Sequence, residues 1–336
     1  MISWPSWAWW LVGLVAALAL FVAALPWIIR PLFRLLLAPR YRFRVVGVEH
    51  LPKTGPAVVA SNHVTWFDGF FLAAISPRHG KALVNAQYIN LPVLRWVAHR
   101  AGIIPIPSSG PHGQRAAITA VRRALDRGEA VLIFPEAQLT RNGLLGSFYR
   151  GLEVMLKGYD HVPVIPVYLG NLWGSILSHS EGRFFLKWPR GLRRTIVVAF
   201  GPPVTPPVTT FQVRQAILAA GVRAAELLPE PRRLPETVDL SLPHLEHPEL
   251  GLLAVSTPNF DRGGIHQTGH KPGTVGQAAP GVALRVVDDA GHPLPADAEG
   301  RLQALLPGRS DWAETGLRAR IDRDGFVTLA SPPPAV

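Results

Sequence analysis

Asn62-His63-Val64-Thr65-Trp66-Phe67-Asp68 sets a histidine and an aspartate five positions apart, directly behind the apolar run Ala57-Val58-Val59-Ala60. A neutral imidazole is the usual base near neutral pH. A carboxylate on its second nitrogen fixes the tautomer and stabilises the imidazolium. No serine nucleophile is required when the substrate's own hydroxyl attacks, so the pair suits acyl transfer to a hydroxyl. The same spacing also fits a loop histidine beside an aspartate that caps a helix.

A second polar segment follows another apolar run. Ala130-Val131-Leu132 leads into Ile133-Phe134-Pro135-Glu136 and then Ala137-Gln138-Leu139-Thr140-Arg141-Asn142-Gly143. A strand that ends in Pro-Glu leaves its backbone extended and its carboxylate at the C-terminal edge of a sheet, where open α/β folds bind ligands. Thr140, Arg141, Asn142 and Gly143 add a hydroxyl, a cation and a turn, and Arg141 is a candidate partner for a phosphate. The plain alternative is a turn after a strand with a solvated arginine.

The elements that must carry these segments alternate. Tyr41 to Val48 and Ala57 to Ser61 read as strands, Gly69 to Ile75 as a helix, Ala82 to Val84 as a strand and Leu91 to His99 as a helix. Gly102 to Ile106 reads as a strand that Pro105 makes either an edge strand or an irregular one. Gln114 to Arg127 is a helix, Ala130 to Phe134 a strand, Gly151 to Lys157 a helix, Val164 to Leu169 and Thr195 to Phe200 strands, and Phe211 to Leu227 a last helix. This alternation predicts an α/β domain over 41–228, a mixed sheet flanked by helices. Residues 229–243, dense in proline and charge, read as a linker. Residues 244–336 read as a small β-rich appendage, with short runs at Val282 to Val287, Gly300 to Leu306 and Phe326 to Leu329.

The chain has 336 residues and a net charge of +11. That balance favours polyanions, nucleic acid or anionic lipid. With no cysteine, disulfide scaffolds and thiolate metal sites are excluded. Residues 1–40 decide for lipid. No charged residue occurs from Met1 to Ile29, and Trp7 to Ile29 is long enough to cross a ~30 Å hydrocarbon core. Trp4, Trp7, Trp9 and Trp10 at one end and Trp27 at the other resemble aromatic belts, and Arg30, Arg34, Arg40, Arg42 and Arg44 follow, which places the bulk of the chain in the cytoplasm. A cleaved signal peptide would need a basic leading segment. A helix in the interface, broken at Pro26 and Pro31 into a long piece and a short one over Leu32 to Leu37, is the other alternative. No basic stripe interleaved with aromatics points to nucleic acid.

With both polar segments quoted, the chain resembles the glycerophospholipid acyltransferase family, the lysophosphatidic-acid type. Asn62, His63 and Asp68 match its Asn-His-x-x-x-x-Asp block, Phe134, Pro135 and Glu136 its Phe-Pro-Glu block, and Val164-Ile165-Pro166-Val167 its proline-containing strand. The resemblance implies the glycerolipid acyltransferase fold over 41–228, with His63 as general base, Asp68 as its orienter, and Asn62, Pro135, Glu136, Thr140 and Arg141 at the substrate. It implies acyl-ACP or acyl-CoA as donor, a lysophospholipid as acceptor, membrane lipid as the setting, and no metal or cofactor. Three positions depart from the family: Ser108 stands where the second block carries a phosphate-binding arginine, Ala137 where the third carries glycine, and Gln138 in place of the residue after it. With serine there, less cationic charge faces the acceptor, and a monoanionic phosphodiester headgroup needs less.

Leu139 to Gly143, Arg150-Gly151-Leu152-Glu153 and Leu172-Trp173-Gly174-Ser175-Ile176 are similar to the acyltransferase module of bifunctional 2-acylglycerophosphoethanolamine acyltransferase/acyl-ACP synthetases. His270 to Gly276, Pro280-Gly281-Val282 and Ile321 to Phe326 resemble the late part of an acyl-adenylating synthetase. The chain has no Ser/Thr/Gly-rich phosphate loop, and Leu317 stands in place of the ribose-binding aspartate. The appendage therefore reads as a degenerate fragment without ligase activity, and a chain ending near Leu228 is expected to keep acyl transfer. A catalytically weak or inactive lipid- or partner-binding protein on the same scaffold is the alternative function.

Overall fold

Val, Ile and Ala fill the strand runs of the first 200 residues almost continuously, the pattern of strands covered on both faces. The computed structural model describes residues 6–88, 95, 96, 98, 100, 102–107, 110–180, 193–228 and 234–330. Within them β1 (Tyr41–Val46), β2 (Ala57–Ser61), β3 (Gly80–Asn85), β4 (Ile103–Ile106), β5 (Ala130–Ile133), β6 (Val164–Gly170) and β7 (Arg194–Phe200) form one sheet in the order β1-β7-β6-β2-β5-β3-β4. From β4 to β6 all neighbours are parallel; β7 runs antiparallel to β6 and pairs in parallel with β1. β2 lies near the middle and all five of its residues are buried. Pro105 falls on edge strand β4, where a missing N–H breaks no inner ladder.

Period-two alternation sends the central strand's side chains to two cores. Val58 and Ala60 pack with Val121 and Leu125 of α3 (Pro111–Asp126) and Leu152 of α4 (Gly151–Leu156) on one face. Val59 packs with Phe71 and Leu72 of α2 (Asp68–Ile75) on the other. α5 (Thr210–Glu226) starts on a capping box in which Thr209 and Gln212 satisfy each other's backbone N–H groups. The helix expected over Leu91 to His99 lies largely outside the described residues, as does Ser108.

Of the N-terminal readings, the helix broken at Pro26 and Pro31 is corrected, and the membrane span finds no support among the described residues. A single helix, α1 (Ser6–Leu37), runs through both Pro26 and Pro31 without a break. Its last turns carry charge and dock on the α/β body, where Arg34 Nε donates to the carbonyl of Ala74 at the end of α2. Among the described residues no helix is long and apolar enough to cross a membrane.

The remaining chain is all β among its described residues. β8 (Leu245–His247), β9 (Gly251–Val255) and β12 (Gln277–Ala278) form one sheet, β10 (Phe260–Arg262) and β11 (Ile265–Gln267) a hairpin, and β13 (Ala283–Val287), β14 (Gly300–Leu305), β15 (Ala313–Ile321) and β16 (Val327–Leu329) an antiparallel meander. β8 to β12 are two to five residues long, too short to show a period, which is why the sequence hides them. The core of this part takes in Leu144 from the loop after Glu136, with Phe211 and Leu218 of α5 packed against it. Of the expected linker, Glu236 accepts from Trp173 Nε1 at 3.1 Å, and the Thr237 hydroxyl donates to the carbonyl of Asn142.

Candidate active site

Three adjacent parallel strands, β5, β2 and β6, end side by side, and the polar segments sit on those ends. His63 follows β2 and Asp68 opens α2. Between them the chain turns tightly enough for the carboxylate to fold back on it. Asp68 Oδ2 accepts from His63 Nδ1 at 2.9 Å, from the Val64 N–H at 2.6 Å and from the Thr65 N–H at 2.9 Å. Oδ1 accepts from the Thr65 hydroxyl at 2.6 Å. Asp68 is completely buried, whereas the His63 side chain is 21% exposed. The imidazole lies flat on the Phe134 ring, 4.0 Å between centroids and 14° between planes. With a carboxylate on Nδ1, that nitrogen carries the proton and Nε2 presents a lone pair. Such a ring can accept a proton from a hydroxyl set against its exposed edge.

Glu136 is the second carboxylate, placed just beyond β5 and 1% exposed. Its Oε1 accepts the His63 N–H at 2.7 Å and its Oε2 the Gly146 N–H at 2.6 Å. Burial raises its pKa to about 7, against the lowering pull of those two N–H groups and of His63 and Arg214. A Cβ on Gly146 would stand 2.9 Å from Oε2, so only glycine lets the backbone approach this closely. Glu136 thus spends both carboxylate oxygens on the backbone N–H groups of His63 and Gly146, where the sequence expectation set it against a substrate.

The other expected substrate residues divide in the same way. Asn62, 4% exposed, accepts the Leu169 N–H at 2.7 Å and donates to the Leu169 carbonyl at 3.2 Å, tying the ends of β2 and β6 together. Thr140, 3% exposed, gives its N–H to the His63 carbonyl at 2.9 Å and its hydroxyl to the Leu144 carbonyl at 2.7 Å. Pro135 is buried. Asn62 thus serves the strand ends and Thr140 the loop. Arg141 differs: it is half-buried, its guanidinium lies 5.7 Å from the Phe260 ring centroid, and its Nε has no hydrogen-bond partner. It is the expected substrate residue whose charged group is not already used by the fold.

Sequence reasoning missed Thr65, Gly146, Arg214 and Gln267, and it placed Phe134 in a matched block without its stacking on His63. Thr65 stands three residues before Asp68, a spacing that a reading of local side-chain-to-backbone bonds could have found. Arg214 on α5 is 1% exposed and donates to the carbonyls of Leu145 and Gly146, and Gln267 reaches the same loop from β11. No local pattern marks either one.

Residues 42–170 match the family model described as Acyltransferase, and His63, Asp68 and Glu136 all fall inside that match. The chain is 28% identical over 145 residues to the chloroplastic 1-acyl-sn-glycerol-3-phosphate acyltransferase LPAT1 of Arabidopsis thaliana, which covers 43% of this chain and 40% of that protein. It is 27% identical over 169 residues to the 1-acyl-sn-glycerol-3-phosphate acyltransferase of Pseudomonas aeruginosa, 48% of this chain and 58% of that one. The chain thus spans 40% to 58% of the length of these relatives. The crystal structure of the 1-acyl-sn-glycerophosphate acyltransferase from Thermotoga maritima aligns at a TM-score of 0.47 and 17% identity, over 63% of this chain and 81% of that one.

Proposed function

We propose that the chain is an O-acyltransferase that moves an acyl group from a thioester, acyl-ACP or acyl-CoA, to the free hydroxyl of a lysophospholipid. The observation that carries this reading is the His63 Nδ1–Asp68 pair at the end of a buried central strand, with the edge of the ring left exposed. His63 Nε2 takes the hydroxyl proton as the oxygen attacks the thioester carbonyl. The tetrahedral intermediate then expels the thiolate, the C–S bond breaks, and the imidazolium returns the proton to sulfur. Asp68, locked by three further hydrogen bonds, keeps the ring oriented and stabilises its charged form. The names of the Arabidopsis and Pseudomonas relatives support a 1-acylglycerol-3-phosphate as acceptor.

The acceptor is a membrane lipid, and α1 meets it at the interface. Trp7, Trp9 and Trp10 are 64–81% exposed, and indole favours the headgroup level. The other end of α1 docks on α2 through Arg34, so the tryptophans stand about 36 Å from that contact at 1.5 Å per residue.

Lysophospholipid turnover by the purified chain, with acyl-CoA and acyl-ACP offered in turn, tests the reading. His63→Ala should lower the rate by about 10²–10⁴-fold with the circular dichroism spectrum unchanged. Near-wild-type turnover by that variant would remove His63 as the base.

A further inference from the structure

Gln267, the last residue of β11, is 4% exposed and more than a hundred residues from the Glu136 loop in sequence, yet it is bonded into it. Its Oε1 accepts the Arg141 N–H at 2.6 Å. Its Nε2 donates to Asn142 Oδ1 at 2.6 Å and to Thr140 Oγ1 at 3.3 Å. The neighbouring His266 carbonyl accepts from Gln138 Nε2 at 3.0 Å. Across the hairpin, Phe260 sets its ring against the Arg141 guanidinium. Hairpin β10–β11 therefore lies along residues 138–142, and Thr140 in that stretch bonds the His63 carbonyl directly.

Arg141 makes no ion pair with a carboxylate among the described residues, and its buried Nε is unpartnered. Burial lowers its pKa from the ordinary guanidinium value, the sign of a cation short of compensation. A half-desolvated guanidinium on an aromatic face, one residue from the strand of contacts to His63, is a receptor for an anion.

We infer that hairpin β10–β11 forms the acceptor-headgroup side of the site, with Gln267 as the positioning residue for the loop and Phe260 as the platform that presents Arg141 to the phosphate of the lysophospholipid. This rests on the acyl-transfer reading above and adds to it that the β-rich part sets acceptor use.

The full chain and its Gln267→Leu, Gln267→Glu and Phe260→Ala variants test this with two readouts. One is equilibrium binding of a short-chain lysophosphatidic acid, with the uncharged monoacylglycerol as control. The other is steady-state kinetics with acceptor and donor varied in turn. Gln267→Leu and Phe260→Ala should raise the lysophosphatidic acid Kd and the acceptor KM about tenfold, leaving monoacylglycerol binding and the donor KM unchanged. Gln267→Glu keeps the oxygen for the Arg141 N–H but loses both donations and adds a negative charge beside the headgroup, so it should weaken lysophosphatidic acid binding at least as much as Gln267→Leu while sparing monoacylglycerol. A fall in kcat alone, or equal weakening of both lipids, would assign the hairpin to the fold only and overturn the inference. Turnover of lysophosphatidic acid that is indifferent to both residues would overturn it while the acyl-transfer reading stands. Hairpin-dependent lysophosphatidic acid binding without any turnover would leave the inference standing and overturn acyl transfer.

Discussion

Two buried carboxylates flank His63, and their partners give them opposite work. Asp68 takes the imidazole N–H and three bonds from the turn around it, so it belongs to the ring. Glu136 takes backbone N–H groups from residues 63 and 146, so it belongs to the loops. Its pKa of about 7 lies above the ordinary 4.5 because of burial, so the folded chain holds this proton longer than the unfolded chain. The stability linked to that proton is complete below the unfolded value and is lost as pH rises through about 7, on the order of 3 kcal/mol across the window. Glu136→Gln, which cannot ionise, should flatten the fall in urea midpoint between about pH 5 and pH 8; a slope equal to the wild type's would refute this assignment. His63 and Asp68 were legible because their bond is local and follows an apolar run. The role of Glu136 was not, because its partners are backbone groups, which leave no residue type to read.

At the scale of elements, the turn after β5 decides how the loop leaves the sheet. Ala137 sits there at φ 52°, in the left-handed region where a Cβ is strained. The pattern that this segment resembles has glycine here, and a turn at positive φ, from which Glu136 points back between His63 and Gly146, is where glycine is favoured. Ala137→Gly should therefore raise stability by about 1 kcal/mol, read as a higher urea midpoint at unchanged slope; a lower midpoint would mean that the Ala137 methyl makes a contact worth more than the strain. The α/β elements were readable because each follows a period and a stop signal, as Val121, Ala124 and Leu125 do on α3. The unbroken course of α1 through Pro26 and Pro31 was not, since proline lowers helix propensity without forbidding a helix. Nor were β8, β10, β11 and β12, strands of two or three residues.

Across the whole molecule, the β-rich part reads from sequence as dispensable, and the packing argues the reverse. Leu144 of the loop after Glu136 lies in its core, and Gln267 and Thr237 bond the same loop. Arg214 is where α5, the loop and the last β turn converge. It holds the Leu145 and Gly146 carbonyls, and a Cβ on Gly325 would stand 2.5 Å from its Nε and 3.0 Å from its Nη2. That turn is itself held by Lys271, which bridges Asp322 at 2.6 Å and Asp324 at 2.8 Å. Arg214 is fully buried and cannot swing aside, so a methyl at 325 must displace it or the turn. Either movement loosens the two loop carbonyls next to the Gly146 N–H that Glu136 accepts. Gly291 provides the control: its φ of 88° matches the 85° of Gly325, but a Cβ there meets nothing within 4 Å. Both alanine variants carry the same backbone strain, about 1–2 kcal/mol. Only Gly325→Ala also strikes the Arg214 contacts, where losing a hydrogen bond from a charged donor costs about 1.5–3 kcal/mol. Gly325→Ala should therefore lower acyl transfer by about tenfold or more, while Gly291→Ala loses stability and keeps its turnover. Equal turnover in the two variants at a temperature where both are folded would show that the β-rich part is mechanically independent of the site.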